Sequence, residues 1–422
     1  MVNRLIAVLA LSVGALGCSD KGSTNDASKA TSVEEKAAKA GAAEATNQEV
    51  KKATKAIAGK IEGVDQLINA TKDLKGTAKG LAEGGPGLTI EQYEALMLGL
   101  SACKVNETGI DRKCEAWLAL KEGRKKGRTS LKSFSGQMSV LGKKHIKHSS
   151  PAVRMHASSL MGGFFGSSKD NQGVVVAAAK TEKDPAVLYY MIRSVGSAIA
   201  KNAEVRALIL ANTDHANERV RIETGTWLTS TFAAEAPGTL ERAMEMIAKD
   251  PSSRVKSSIC SNLGRRGDER VMPLLAKHTQ DPNDPLYVAC LRGLIGSWAS
   301  PVPHKKPSQK GYALTLKRLR ETPRSDKRPA WAAISGMRWA KKPELAQRAP
   351  WFKKDEVLGV LGAIVKDQQS NWLARTSAVD VMGALGADKA KFTELRKAYA
   401  DAKGTNAHVL KKIDKQLAGD AK

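Results

Sequence analysis

The chain has 422 residues, with 68 Lys and Arg against 43 Asp and Glu, for a formal net charge of +25. Beyond an N-terminal apolar run it nowhere offers the ~18 uninterrupted apolar residues that a spanning helix needs, which argues against a transmembrane helix. It also lacks His-Glu-x-x-His, Gly-x-Ser-x-Gly, Gly-x-x-x-x-Gly-Lys-Ser/Thr and Cys-x-x-Cys, so zinc-peptidase, hydrolase, P-loop and thiol-redox chemistry have no motif to stand on.

At the N-terminus Arg4 precedes an apolar run from Leu5 to Leu16, then Gly17-Cys18-Ser19-Asp20. A cation, a short apolar core and a small residue at its end form an export signal over residues 1–17. Ala15-Leu16-Gly17-Cys18 resembles the lipobox of bacterial lipoproteins, although that family places Leu three positions before the cysteine and a small residue two before. The resemblance implies that Cys18 is lipidated and becomes the mature N-terminus. An ordinary cleaved signal releasing a soluble periplasmic protein is the alternative. Ser19 is similar to the outer-membrane sorting pattern of enteric lipoproteins. The expectation is therefore an exported chain held by its lipid alone, at the outer membrane of a Gram-negative bacterium, facing the periplasm or the cell surface. Each buried acyl methylene adds about 0.8 kcal/mol to such an anchor.

Residues 18–49 are rich in Ala, Lys, Glu, Ser, Thr and Asn and nearly devoid of large apolar side chains, a composition that reads as a flexible tether. From 50 to 84 a helical period through Ala53, Ile57, Ile61, Val64, Ile68 and Leu74 predicts one amphipathic helix, broken by Gly84-Gly85-Pro86-Gly87. Residues 88–148 read as an N-terminal helical cap. Within it Cys103 and Cys114 flank a polar segment between two apolar helical stretches, and a disulfide pinning that hairpin is the preferred reading. A basic window follows at 121–147, with Arg124, Lys125, Lys126 and Arg128 at its centre and only Glu122 opposing nine cations. His145, His148 and His156 have no cysteine or carboxylate nearby in sequence to complete a metal set, so they are read as solvent-exposed residues near a repeat boundary.

From 149 to 422 a phrase recurs, clearest as Ser150-Pro151-Ala152-Val153-Arg154 with Ala157 and Gly162, and as Ala374-Arg375 with Ala378 and Gly383. The copies are marked by Val153, Val187, Val220, Val255, Tyr287, Trp331 and Ala374, the last two less clearly. A small or apolar residue usually follows four places on, the spacing of one helical face. Glycine follows nine places on in several copies, either to end a helix in the left-handed conformation or to admit a close neighbour. Asp184-Pro185, Asp250-Pro251 and Asp284-Pro285 read as helix starts, a capping carboxylate before a residue that needs no amide partner. Each unit is expected to be a helical hairpin, and the whole an all-α solenoid. The phrasing resembles HEAT repeats and their bacterial HEAT-like relatives over about 149–390. That resemblance implies structural roles for Arg154, Arg221, Lys256 and Arg375, bridging neighbouring repeats through acidic residues, with the ladder interrupted at Leu188 and Val288.

Cys260 and Cys290 lie in neighbouring repeats but out of register, and are expected to be buried small hydrophobes, a bridge between them being the lesser reading. A second basic window at 304–328 holds Lys305, Lys306, Lys317, Arg318 and Arg320 among nine cations, against Glu321 and Asp326, and its prolines predict an inserted loop. The tryptophans Trp227, Trp298, Trp331, Trp339 and Trp372 suit either repeat packing or interface anchoring. Stacked repeats build binding surfaces. The functional expectation is a non-catalytic protein-interaction scaffold, without cofactor, whose basic patches favour an acidic envelope protein or an anionic envelope polymer. Export argues against nucleic acid. A HEAT-like lyase is the remaining alternative, with no residue pair nominated for it.

Overall fold

A computed structural model describes residues 90–126, 135–162, 168–300, 302, 305–321, 331–341 and 343–419. The export signal, Cys18, the tether, the 50–84 helix and Arg128 lie outside the described residues. All described residues belong to one compact unit, Asn69–Lys422.

That unit is all-α. Its cap comprises α1 (Ile90–Gly99), a small antiparallel hairpin of β1 (Val105–Asn106) and β2 (Gly109–Ile110), α2 (Glu115–Lys126) and α3 (Ser135–His145). The repeats follow as α4 (Pro151–Met161), α5 (Lys169–Ala179), α6 (Pro185–Val195), α7 (Ala203–Ala211), α8 (Glu218–Leu228), α9 (Thr239–Lys249), α10 (Ser253–Leu263), α11 (Met272–Lys277), α12 (Tyr287–Ala299) and α13 (Gln309–Glu321). The stack closes with α14 (Trp331–Ile334), which runs on as a 3-10 helix over Ser335–Lys341, then α15 (Pro343–Arg348), α16 (Lys354–Lys366), α17 (Trp372–Ala384), α18 (Lys389–Lys397) and α19 (Thr405–Ala418).

Each repeat marker falls in the first helix of its unit. The helices α4, α6, α8, α10 and α12 pack side by side as one layer, continued through α14 to α17 and α19, while α5, α7, α9, α11, α13 and α16 form the second. This is a solenoid of stacked hairpins. Val153, Val187, Val220 and Val255 are wholly buried, as are Ala157, Thr224, Ile259, Leu291 and Ala378 one helical turn later. A fully buried aliphatic side chain contributes about 1.5–3 kcal/mol, so the repeating stripe is the main source of cohesion.

The structure decides between the two uses left open for the recurring glycines, and it changes two of the three expected helix starts. The glycines nine places after the markers are not left-handed caps: Gly162, Gly196 and Gly264 have φ of −109°, −56° and −65°. They are contact points instead. A Cβ on Gly196 would sit on the Trp227 ring, one on Gly264 on the Gly293 carbonyl, and one on Gly162 on Ser194. Of the three Asp-Pro starts, Asp184 does cap α6, accepting from the amides of Ala186 at 2.8 Å and Val187 at 3.3 Å. At the second, Ser252 is the cap of α10, because Asp250 is engaged by Arg221. At the third, Asp284 accepts from the Leu286 amide and from His278, and α12 begins only at Tyr287.

Within the window at 304–328, α13 covers Gln309–Glu321, and Lys305–Ser308 before it are not helical; 304 and 322–328 lie outside the described residues. The sixth copy is weak because its first helix tightens into a 3-10 turn after one α-helical turn.

The histidines are docking residues. His145 and His156 are buried, not solvent-exposed. His145 pairs with Glu94 at 2.5 Å and His156 with the Tyr93 hydroxyl at 2.8 Å, which fastens α1 onto α3 and α4. The His148 Nδ1 accepts from the Ser150 amide. No group of metal-ligating side chains occurs among the described residues.

Candidate functional site

Arg154 and Arg221 occupy equivalent positions on α4 and α8, and their guanidinium groups do the same work. Arg154 grips Glu182 through two nitrogens, at 2.8 and 3.0 Å, and donates its third to the carbonyls of His148 and Ser149. Arg221 grips Asp250 at 2.8 and 3.3 Å and donates to the carbonyls of His215 and Ala216. Each arginine thus ties the turn entering its repeat to the turn leaving it. Burial raises the Glu182 carboxyl, but the hydrogen bonds from Arg154 and from the Asp184 and Lys183 amides outweigh it and hold the group below the ordinary carboxylate range. Lys256 reaches only the Ala248 carbonyl, at 3.5 Å. Arg375 is buried, with the Ser370 carbonyl, the Tyr399 hydroxyl and Asn406 as partners in place of an acid.

Both cysteine pairs are bridged. Cys103–Cys114 closes the β-hairpin, with Cα atoms 5.6 Å apart. Cys260–Cys290 joins α10 to α12, with Cα atoms 4.9 Å apart, correcting the expectation of two free buried thiols. The offset in register disappears because Gly293 lets α12 approach the Cys260 carbonyl closely.

The disulfide-closed hairpin reaches over the repeats. Arg219, on α8, donates from Nη2 to the Thr108 carbonyl at 3.2 Å and stacks on the Tyr189 ring, 4.0 Å from its centroid. Its Nη1 is buried without an acceptor among the described residues. Gly109, at φ 117°, packs against the Tyr190 ring. Beneath Arg219 lies Glu223, accepting from the Trp227 indole at 2.9 Å, while Arg193 donates to the Tyr189 hydroxyl at 2.8 Å. Burial pushes the Glu223 carboxyl up, against the opposing pull of Arg193, Tyr189 and Trp227. A cavity of about 280 Å³ opens between the hairpin and the starts of α6 and α8, lined by Asn106, Glu107, Asp184, Asn217 and Arg219. The Asp184 and Asn217 side-chain oxygens within it are already committed as helix caps. The cluster is a stitched polar core with an aromatic and cationic rim; the sequence marks Trp227 in it as a packing or anchoring candidate and Asp184 only as a helix cap.

The basic windows are partly neutralised by the fold. Lys143 pairs with Asp170, and Lys144 with Glu94 at 2.8 Å. Lys305 pairs with Glu235 at 3.0 Å, Arg318 with Glu321 at 3.0 Å, Lys317 with Glu321 at 3.8 Å and Arg320 with Glu356 at 2.9 Å. Arg124, Lys125 and Lys126 fall in the last turn of α2. Lys306 and Lys310 are exposed and form no ion pair with a described residue. Trp298 is fully buried, its indole donating to Thr315, whereas Trp227, Trp339 and Trp372 are partly exposed.

Arg266 had no signal in the sequence. It is buried and satisfies the carbonyls of Leu228 and Ala233, at 2.5 and 2.8 Å, which would otherwise be left open where α8 ends. No helix among the described residues is long and apolar enough to cross a membrane.

No protein-family model matches the chain, and no curated protein does. Among solved structures, an engineered protein aligns with it at 12% identity and a TM-score of 0.32, over 85% of this chain and 98% of that one.

Proposed function

We propose that the chain is an envelope lipoprotein, anchored through Cys18, whose HEAT-like solenoid is a non-catalytic scaffold for an acidic protein partner. The observation that carries this reading is the stack itself, a layered array of helical hairpins, an architecture that builds binding surfaces. The two disulfides fit the same reading, because such bridges persist in oxidising compartments. A second reading, binding of anionic envelope polymers, draws on the exposed Lys147, Lys306 and Lys310.

The test is crosslinking in living cells of the native host, followed by affinity purification and mass spectrometry, with Cys18→Ala as the control for membrane placement. Recovery of one dominant envelope protein, lost on charge reversal at Lys125, Lys126, Lys306 and Lys310, supports the scaffold. Reversal of Arg318 and Arg320 also removes the Glu321 and Glu356 pairs, so its effect is read against those four. Recovery of lipid or glycan alone, with binding that falls steeply as salt rises, supports the polymer reading instead.

A further inference from the structure

Arg219 carries an unmet hydrogen bond at the wall of a cavity. Its Nη2 donates to the Thr108 carbonyl at 3.2 Å, while Nη1, on the same fork, is buried with no acceptor among the described residues. The Tyr189 ring, its centroid 4.0 Å from the guanidinium carbon, holds the group in place. Glu223 beneath it accepts from the Trp227 indole and makes no hydrogen bond to Arg219. A buried guanidinium N–H without an acceptor is costly, and water does not reach Nη1 to relieve it. The acceptor whose shape fits both arms is a carboxylate, which takes Nη1 and displaces the Thr108 carbonyl from Nη2, exchanging a neutral acceptor for a charged one. Thr108 is exposed, in the turn between strands of two residues each, so its carbonyl turns aside without uncovering core.

The cavity of about 280 Å³ that Arg219 lines says what carries that carboxylate. Its other charged groups, Glu107 and Asp184, are both acidic, so it has room for one negative charge at the arginine and repels a run of them. Val105, Pro185 and Ala186 give it an apolar lining. One side is the edge of β1. The Asp111 amide donates to the Lys104 carbonyl at 2.9 Å, which makes the facing residues Val105 and Ile110 a non-hydrogen-bonded pair. The Val105 N–H and C=O therefore point out from the free edge, and no described residue bonds to them. An open strand edge pairs with extended peptide, and a volume near the ~300 Å³ lower bound of ligand pockets admits the end of a chain rather than a long stretch of one.

We infer that this cavity binds the C-terminus of a partner protein: the terminal carboxylate enters the Arg219 fork, the last residues pair with Val105 along β1, and a small apolar side chain meets Pro185 and Ala186. This rests on the reading of the chain as a protein scaffold and gives the partner a point of entry outside both basic windows.

The experiment screens the full-length protein against random peptides displayed with free C-termini, then compares each enriched peptide as a C-terminal acid and as an amide by fluorescence anisotropy. The enriched peptides should share a small apolar last residue, with no Asp or Glu just before it, and the amides should bind at least about tenfold more weakly. Arg219→Gln should weaken binding by a similar factor and Lys306→Gln should leave it unchanged, thermal melting confirming that each variant is folded. N-methylation of the backbone amides nearest the terminus should also weaken binding, by removing the pairing with β1. No enrichment, equal binding of acid and amide, enriched peptides rich in Asp and Glu, full affinity in a folded Arg219→Gln variant, or indifference to N-methylation would each overturn the inference. The acid and amide are compared on the unaltered chain, so that result stands even where Arg219→Gln does not fold. If crosslinking in the native host still recovers an envelope protein, only this site fails. If neither route yields a protein ligand, the scaffold reading falls with it.

Discussion

Arg154 and Arg221 lie in the same phrase of the sequence, and the structure gives them the same geometry down to the carbonyls they hold. Removing one member of such a pair strands the other in a largely desolvated place. Arg154→Leu and Arg221→Leu should each destabilise the fold by about 3 kcal/mol, measured by chemical denaturation, whereas Lys256→Leu should change little. Glu182 titrates below its ordinary value, so its contribution is complete above about pH 4.5 and is lost as pH falls through the lower, folded value. Glu182→Gln should flatten the acid limb of a melting-temperature profile. Glu223 has the opposite sign. Its folded pKa is raised, so stability declines as pH climbs from the unfolded value, also near 4.5, through the folded one, and Glu223→Gln should remove that decline. The ladder arginines were legible because they recur in register. Glu223 and Arg266 were not: a buried charge leaves no local pattern when its partners come from other repeats, as do Leu228 and Ala233 for Arg266.

At the scale of the helix, the sequence shows where small residues recur but not which of two uses they serve. Gly196 and Gly264 are close-approach positions, and the neighbouring helix decides that. Gly196→Ala drives a methyl into the Trp227 ring and Gly264→Ala drives one into the Gly293 carbonyl, so each should cost at least about 1–3 kcal/mol, while Gly173→Ala, with open space around it, should be neutral or stabilising. Capping proved equally dependent on the neighbour. Asp250 has the right residue type and a following proline, yet Arg221 competes for its carboxylate and Ser252 takes over the cap. The Cys260–Cys290 bridge is only the lesser reading of the sequence because spacing runs along one dimension, and the glycine at 293 that brings α10 and α12 together acts in another. Bridges spanning separations of 11 and 30 residues should stabilise by about 3 and 4 kcal/mol through the unfolded chain, so Cys260→Ser with Cys290→Ser should lower stability somewhat more than the Cys103 and Cys114 pair does.

Across the whole molecule, the solenoid was legible because hairpin stacking needs only a repeated stripe and a recurring turn, and both are printed in register. Charge was less so. Clusters of lysine and arginine close in sequence are divided by the fold: Lys143, Lys144 and Arg320 go to carboxylates of other helices, Lys317 and Arg318 to Glu321 of their own, and Lys306 and Lys310 stay exposed without an ion pair to a described residue. The reach of the disulfide-closed hairpin to Tyr190 and Arg219 leaves no trace in the sequence, since that contact joins segments about a hundred residues apart. Because contacts otherwise run from each unit to the next, the array behaves mechanically as a row of springs in series, and the bridge between α10 and α12 is a clamp on one of them. Pulled from its two ends, the chain should yield unit by unit yet withhold the 30-residue stretch between Cys260 and Cys290 and the 11-residue one between Cys103 and Cys114, releasing about 10 nm and about 4 nm of further extension only after a reductant is added. A protein tied at one end to a surface and at the other to a partner would keep those two neighbouring units joined under a load that had already opened the rest.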